Sequence, residues 1–199
     1  MHVEACTFPN IGWLETEVPE SFRECISQEI EKPGEDWRRE LAGHTSGAHL
    51  LSGLMGGGAF EWWLIDLAKQ YDSAFPAYRE TICHHKGAMS LSLDTVWVNF
   101  QNKHDFNPMH WHNGVFSFVI WTAIPYSAEE ERAHFPANNP SAGEFAFTVT
   151  DVLGEIHDHT VEQREWTTLF FPAKMRHKVH PFYTSDKTRV SLSGNLVLV

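Results

Sequence analysis

Three histidines have the types and spacing of a metal site. His110 and His112 are separated by one residue in the segment NPMHWHNG, and His177 comes much later, in FFPAKMRHKVHPF. On an extended strand the side chains at i and i+2 point to the same face, so the first pair can direct two imidazoles at one point. Imidazole nitrogens are common ligands of divalent transition metals, and we therefore predict a three-histidine metal centre.

A guanidinium is predicted close to this centre. After His177 a turn at YTSDKT returns the chain into RVSLSGN, where Arg189, Ser191, Ser193 and Asn195 alternate on one face of a strand. A buried guanidinium without an anion is costly, whereas a carboxylate pairs with it through two hydrogen bonds. Arg189 therefore indicates a carboxylate ligand. The alternative is a structural ion pair with one of the 26 acidic residues.

The other histidines are predicted to be structural or exposed. The chain has 13 His, so short His-x-His pairs are expected by chance. His157 and His159 form a second such pair in GEIHDHT, where Gly, Asp and Glu surround them and provide no apolar wall. We interpret that segment as an exposed turn rather than a site.

The elements that must position these residues are mostly strands. After residue 88 the sequence changes to short apolar alternations separated by turn residues, which is typical of an α+β chain with a sandwich or jelly roll. The predicted strands are MSLSLDTVWVNFQ, VFSFVIWTAIP, EFAFTVTDVL, EWTTLFFPA, HKVHPF and RVSLSGNLVLV.

We predict helices and loops for the first part of the chain. SFRECISQEIEK and AFEWWLIDLAKQYDSAF carry apolar residues at helical spacing, and the intervening HLLSGLMGGG is predicted to be a loop. In the second helix Trp62 and Trp63 cannot both face the core. We expect a single domain over 1–199, with a mainly helical part at 1–87 that buttresses a site-bearing jelly-roll core at 88–199.

Composition excludes several classes of partner and location. The formal net charge of −11 disfavours nucleic acid and anionic membrane surfaces. The N-terminus lacks a signal-peptide pattern, and the longest apolar run, 115–124, is far short of the ~20 residues of a membrane span. Cys6, Cys25 and Cys83 form no metal or disulfide framework and are expected to be free thiols. We expect a cytoplasmic protein.

These motifs together resemble the iron(II)- and 2-oxoglutarate-dependent oxygenases, in particular an oxygenase family common in bacteria and bacteriophages. The resemblance covers about residues 90–199. It is carried by Trp97, Asn99, His110, His112, the strand 117–121 ending at Pro125, Gly143, Phe147, Phe171, Pro172, His177, Val179, Pro181, Arg189, Ser191 and Asn195. Two departures from the family pattern are SFVIW in place of SGVYY, and Trp166 near a position where glycine is usual.

The resemblance implies a double-stranded β-helix (a cupin-like jelly roll) that uses Fe(II), 2-oxoglutarate and O₂. His110 and His177 would be iron ligands, and His112 stands where most of the superfamily has a carboxylate. Arg189 would hold the distal carboxylate of 2-oxoglutarate with help from Ser191. Two further co-substrate contacts are expected at Asn99 and Trp121, the latter in place of a family tyrosine.

Three functions stay open at this point. The first is a 2-oxoglutarate-dependent hydroxylase acting on a small molecule or a peptide, such as peptidyl-proline, a free amino acid or another small metabolite. The second is a three-histidine cupin-type dioxygenase that does not use 2-oxoglutarate. The third is a non-enzymatic β-sandwich with a binding or structural role. A homo-oligomer is compatible with all three.

Overall fold

The computed structural model describes residues 11–32, 34–78, 90–138 and 141–199. Within these ranges the strands pair throughout in antiparallel fashion and form two sheets. The predicted change of texture at residue 88 lies outside the described residues, as do Cys6 and Cys83. Cys25 is a free, exposed thiol.

The larger sheet has six strands in the order β1-β8-β5-β10-β3-β2, and the smaller sheet has four in the order β4-β9-β6-β7. The strands of the larger sheet are β1 (Leu14–Glu17), β2 (Gly47–Leu50), β3 (Leu91–Gln101), β5 (Phe116–Ala123), β8 (Thr167–Pro172) and β10 (Arg189–Leu198). Those of the smaller sheet are β4 (Asn107–His110), β6 (Phe145–Thr150), β7 (Ile156–Val161) and β9 (His177–Val179).

The two sheets pack through an aromatic cluster that includes Trp121, Phe145, Phe147 and Phe171. The alternation of β3, β5 and β10 places one set of side chains in this interior and the other set on the outer face of the larger sheet. The arrangement confirms the prediction of an α+β chain with a jelly-roll core.

Helices of the described residues pack against the outer face of the larger sheet through one buried cluster: α1 (Glu20–Ile30), α2 (Ala59–Ala74) and the short α3 (Pro76–Tyr78). A further helix, α4 (Ala128–His134), lies elsewhere, where Glu131 accepts hydrogen bonds from the backbone of Tyr183 and Thr184. Phe60 of α2 meets Phe118 of β5 with ring centroids 5.9 Å apart, and both belong to the larger buried cluster. Trp63 packs against this cluster whereas Trp62 is 61% exposed, as the helical spacing requires. Among the described residues, none of the helices is both long and apolar enough to cross a membrane.

Two local predictions were wrong. His49 and Leu50, expected in a loop, end strand β2, and a 3₁₀ helix follows at Ser52–Leu54. β2 forms because it pairs with β3, a tertiary interaction that its short sequence does not signal. His157 and His159, expected in a turn, lie in β7, an edge strand that pairs only with β6 in its sheet. Both histidines are exposed, because most of β7 faces solvent and lacks the apolar alternation that identifies a half-buried strand.

Candidate active site

Strand pairing brings the three predicted histidines together. His110 is the last residue of β4 and lies directly opposite His177, the first residue of β9. His112 follows β4, and its backbone N–H donates to the Ala173 carbonyl just after β8, at 2.8 Å. One ring nitrogen from each histidine lies within 4.8 Å of the others.

The distances between the imidazoles suit one cation. Nε2 of His112 and Nε2 of His177 are 3.2 Å apart. Two nitrogen ligands at about 2.1 Å from a metal and at right angles to each other are separated by about 3 Å. The donor set therefore fits a divalent transition metal bound on one face, with positions left for other ligands.

Backbone carbonyls fix the orientation of two of the rings. Nδ1 of His110 lies 2.7 Å from the Pro108 carbonyl, and Nδ1 of His177 lies 2.9 Å from the Met175 carbonyl. A carbonyl only accepts, so each Nδ1 carries the proton and each Nε2 keeps its lone pair. This arrangement is typical of metal-ligating histidines, whose second nitrogen donates to a carbonyl or carboxylate.

All three imidazoles are held in the neutral form that binds metal. Burial lowers the pKa of His110, partly opposed by its hydrogen bond to the Pro108 carbonyl. Burial and then the charge of His110 lower the pKa of His112 to about 3. Burial, followed by repulsion from the other two histidines, lowers the pKa of His177 well below its ordinary value. Neutral imidazoles offer lone pairs at physiological pH without competition from protons.

Aromatic rings pack around the histidines. Phe145 stacks on His177 with centroids 5.4 Å apart, and Phe171 meets the same ring edge-on at 5.0 Å. Trp97 lies 5.5 Å from the His112 ring. An apolar wall of this kind lowers the local dielectric constant and so strengthens electrostatic interactions inside the site.

A row of polar side chains, formed by Asn99, Gln101 and Ser191 and called the polar floor below, extends from the histidines along β3 and β10. Cross-strand pairs place Ser191 opposite Asn99 on one side and Trp121 on the other. Asn99, Trp121 and Ser191 are buried and line the same pocket as the histidines, as does Gln101. The sequence-predicted co-substrate contacts other than Arg189 thus all face this pocket.

Arg189 is completely buried at the far end of this floor. Its Nε donates to Oε1 of Gln101 at 3.1 Å, and Nη1 donates to the Tyr126 hydroxyl and the Gly143 carbonyl. Nη2 donates to the His180 carbonyl at 3.3 Å. All of these acceptors are neutral, so none of these hydrogen bonds places a negative charge beside the guanidinium. The described residues that line the pocket include Gln101 but not Arg189.

Unpaired polar atoms in the pocket indicate room for a polar ligand. Asn99 Oδ1, Gln101 Nε2 and Asn107 Oδ1 are buried and have no hydrogen-bond partner among the residues that the structure describes. Buried polar groups in native proteins are nearly always hydrogen-bonded, and each exception calls for an explanation such as a missing ligand. The residues present therefore fit a metal with a polar co-substrate beside it.

The pocket mouth is formed by a loop and by exposed apolar residues. Glu40, Leu41 and Ala42 line the pocket from the segment before β2. This segment is attached to the start of β4 by reciprocal backbone hydrogen bonds between His44 and Phe106. Trp111, which is 55% exposed, lies on the rim between the two histidines of the His-x-His motif.

Comparison with known proteins assigns the family. The sequence model of the family described as "Putative 2OG-Fe(II) oxygenase" matches residues 95–195, which include the three histidines and Arg189. The chain belongs to this family. 2OG-Fe(II) oxygenases use Fe(II), 2-oxoglutarate (2OG) and O₂, so the predicted enzyme class and cofactors are confirmed. Membership decides against a dioxygenase that does not use 2-oxoglutarate and against a non-enzymatic sandwich.

Solved structures share the fold of this 2OG-Fe(II) oxygenase. An oxidoreductase of the 2OG-Fe(II) oxygenase family from Burkholderia pseudomallei has a TM-score of 0.55 at 15% identity, over 94% of this chain and 84% of that chain. A Pseudomonas putida prolyl-4-hydroxylase has a TM-score of 0.54 at 14% identity, over 95% and 94% of the two chains. No curated protein matches the sequence. The predicted double-stranded β-helix is confirmed.

Sequence reasoning missed several pocket residues of the oxygenase. Gln101 is two positions after Asn99 on the same face of β3, so the alternation that selected Asn99 also selects Gln101. The mouth residues Leu41 and Ala42 carry no comparable signal, and neither does Tyr126, which lies outside the pocket lining and accepts a hydrogen bond from Arg189. They reach the site from loops whose path depends on tertiary packing.

Proposed function

We propose that this protein is a hydroxylase in which His110, His112 and His177 bind Fe(II). The single observation that carries the proposal is the convergence of three neutral imidazoles beside a polar floor with unpaired buried atoms. When bound, iron and 2-oxoglutarate supply the oxidation of a substrate C–H bond to C–OH by O₂, with succinate and CO₂ as the other products.

The protein's own residues contribute orientation and exclusion of water. The carbonyls of Pro108 and Met175 hold the protons of two imidazoles away from the metal side. Phe145 and Phe171 keep the histidines dry. Asn99 and Ser191 offer hydrogen bonds to the co-substrate along the floor, and Trp121 limits the width of the pocket beside them. Arg189 supplies positive charge for a dicarboxylate.

The substrate reaches the iron through the mouth near Trp111. The rim combines this exposed indole with Arg176, whose guanidinium lies 5.9 Å from the ring centroid, and with exposed Glu40 on the opposite loop. Such a rim suits a small molecule or a peptide side chain with an apolar body and polar ends. Peptidyl-proline is one candidate, and a prolyl-4-hydroxylase is among the proteins that share the fold.

Succinate release tests this function. The Fe(II)-loaded protein should convert 2-oxoglutarate to succinate under O₂, and a true substrate should stimulate that release and gain one oxygen atom by mass spectrometry. Proline-containing peptides, free amino acids and small carboxylic acids form the first panel. Succinate release no greater than that of His177→Ala with every compound would contradict the proposed function.

A further inference from the structure

We propose that Gln101 binds the distal carboxylate of 2-oxoglutarate through its Nε2, and that Arg189 orients and polarises the amide from behind. This inference rests on the proposed function. Gln101 lies outside the motifs that carry the family resemblance. The inference places the Gln101 amide, and not the Arg189 guanidinium, on the pocket wall that contacts the co-substrate.

Arg189 determines which way the Gln101 amide points. Guanidinium nitrogens only donate, so the atom of Gln101 that lies 3.1 Å from Arg189 Nε is the amide oxygen. The amide nitrogen is then the free end. The two residues are direct cross-strand partners on β3 and β10, so the strand register keeps them side by side.

The free Nε2 needs an acceptor. Gln101 is only 2% exposed, and Nε2 has no hydrogen-bond partner among the described residues. Leaving a buried donor unpaired costs its full desolvation penalty, and a carboxylate oxygen of a ligand removes that penalty through a charge-assisted bond. Asn99 Oδ1 is also unpaired among the described residues. Asn99 precedes Gln101 by two residues on β3, on the side of the polar floor nearer to the histidines.

Charge and position both favour an anion at this point. Arg189 donates four hydrogen bonds, all to neutral oxygens. Because a guanidinium has five N–H groups, one N–H has no acceptor among the described residues. Gln101 is four residues along β3 from Trp97, whose ring contacts the ligand His112. A dicarboxylate that chelates a metal at the histidines therefore directs its second carboxylate toward Gln101 and Arg189.

Binding of two 2-oxo acids distinguishes this role from a structural one. 2-Oxoglutarate and 2-oxopentanoate have the same chain length and the same chelating end, but only the former has a distal carboxylate. Each is titrated calorimetrically into anaerobic protein loaded with Zn(II), which occupies imidazole sites without redox chemistry. The variants are Gln101→Leu and Gln101→Glu, with Gln28→Leu on the exposed face of α1 as the matched control.

We expect Gln101→Leu to bind 2-oxoglutarate about ten- to a hundredfold more weakly, the range of a hydrogen bond to a charged group. Gln101→Glu should lose more, because it keeps the acceptor for Arg189 Nε but replaces the donor by a negative charge. Both variants should bind 2-oxopentanoate within about threefold of the parent, since neither changes the chelating end.

Two results would overturn the assignment of Gln101. One is unchanged 2-oxoglutarate affinity in both variants. The other is an equal loss for both 2-oxo acids, which would show that Gln101 only supports the fold around Arg189. If the Zn(II)-loaded parent binds neither acid, that result contradicts the proposed function itself. The parent is titrated before the variants, so this result is distinguished from a failure of the Gln101 assignment.

Discussion

His110 and His177 lie directly opposite each other on neighbouring antiparallel strands, with their ring centroids 4.3 Å apart. They are distant in sequence, so strand pairing alone creates the contact. A slip of one residue between β4 and β9 would turn one of the two rings to the other face of the sheet. The proposed metal centre therefore depends on the same register that pairs β4 with β9 in the smaller sheet.

Replacing His177 by Ala should abolish metal-dependent turnover while the fold is retained. The change removes one of three ligands and the ring against which Phe145 and Phe171 pack. Succinate release and the stoichiometry of bound metal are the measurements, and circular dichroism checks the fold. His159→Ala, on the exposed face of β7, is the matched control and should behave like the parent. Turnover in a folded His177→Ala protein would remove this residue from the site.

Replacing His112 by Asp should strengthen Fe(II) binding. A carboxylate in this position gives the two-histidine, one-carboxylate set of most related oxygenases and lowers the charge of the site by one unit. The added attraction should raise Fe(II) affinity on the order of tenfold, measured by competition with a coloured chelator. Equal affinity of the parent and His112→Asp would contradict a ligand role for His112.

The stability of the metal-free protein should fall as the pH decreases below about 6.5. Burial lowers the pKa of His112 to about 3 in the folded state, so below the ordinary histidine pKa the unfolded chain binds a proton that the folded chain does not. This one group lowers the free energy of unfolding by up to about 1.4 kcal/mol per pH unit between the two pKa values.

Urea unfolding with a chelator present, at about pH 7.5 and about pH 5.5, measures this dependence. His112→Asn cannot titrate, so the variant should lose less stability than the parent between the two pH values. An identical pH dependence in both proteins would show that His112 is not held neutral by burial.

Replacing Gly43 by Ala should displace the loop at the pocket mouth. A Cβ at this position would lie 1.7 Å from Asn107 Oδ1, closer than real Cβ contacts come, and 3.1 Å from the Phe106 carbonyl oxygen, which is tighter than most. Overpacking of this kind typically costs about 1–3 kcal/mol, so the melting temperature should fall and the KM for substrate should rise. Gly58→Ala is the control, because open space surrounds that position and its φ of −78° is ordinary. Equal melting temperature and KM in both variants would show that the loop does not depend on this contact.

The sequence predicted the parts of the molecule in which local pattern and tertiary structure agree. The helices near 20–30 and 59–74 and the long strands β3, β5 and β10 have regular periodicity because each buries one continuous face. The convergence of His110, His112 and His177 could be predicted because the first two are separated by one residue at the end of a strand and the family order supplied the third.

Other parts could not be predicted because their structure depends on pairing with another element and not on a local apolar periodicity. Strand β7 is exposed along most of its length and forms only because β6 pairs with it. Trp166 adopts φ 60°, a left-handed conformation that favours glycine. It keeps that conformation while its backbone bonds to Trp121 and Val18 and its indole packs against Arg23.

The proposed iron ligands and the proposed co-substrate contacts lie on different sheets. His110 and His177 belong to the four-stranded sheet, whereas Asn99, Ser191 and Arg189 belong to the six-stranded one. The phenyl rings of Phe145, Phe147 and Phe171 pack against one another between the two sheets. Replacing one of these rings by a smaller side chain would alter the spacing of the sheets, and with it the length that a chelating acid must span.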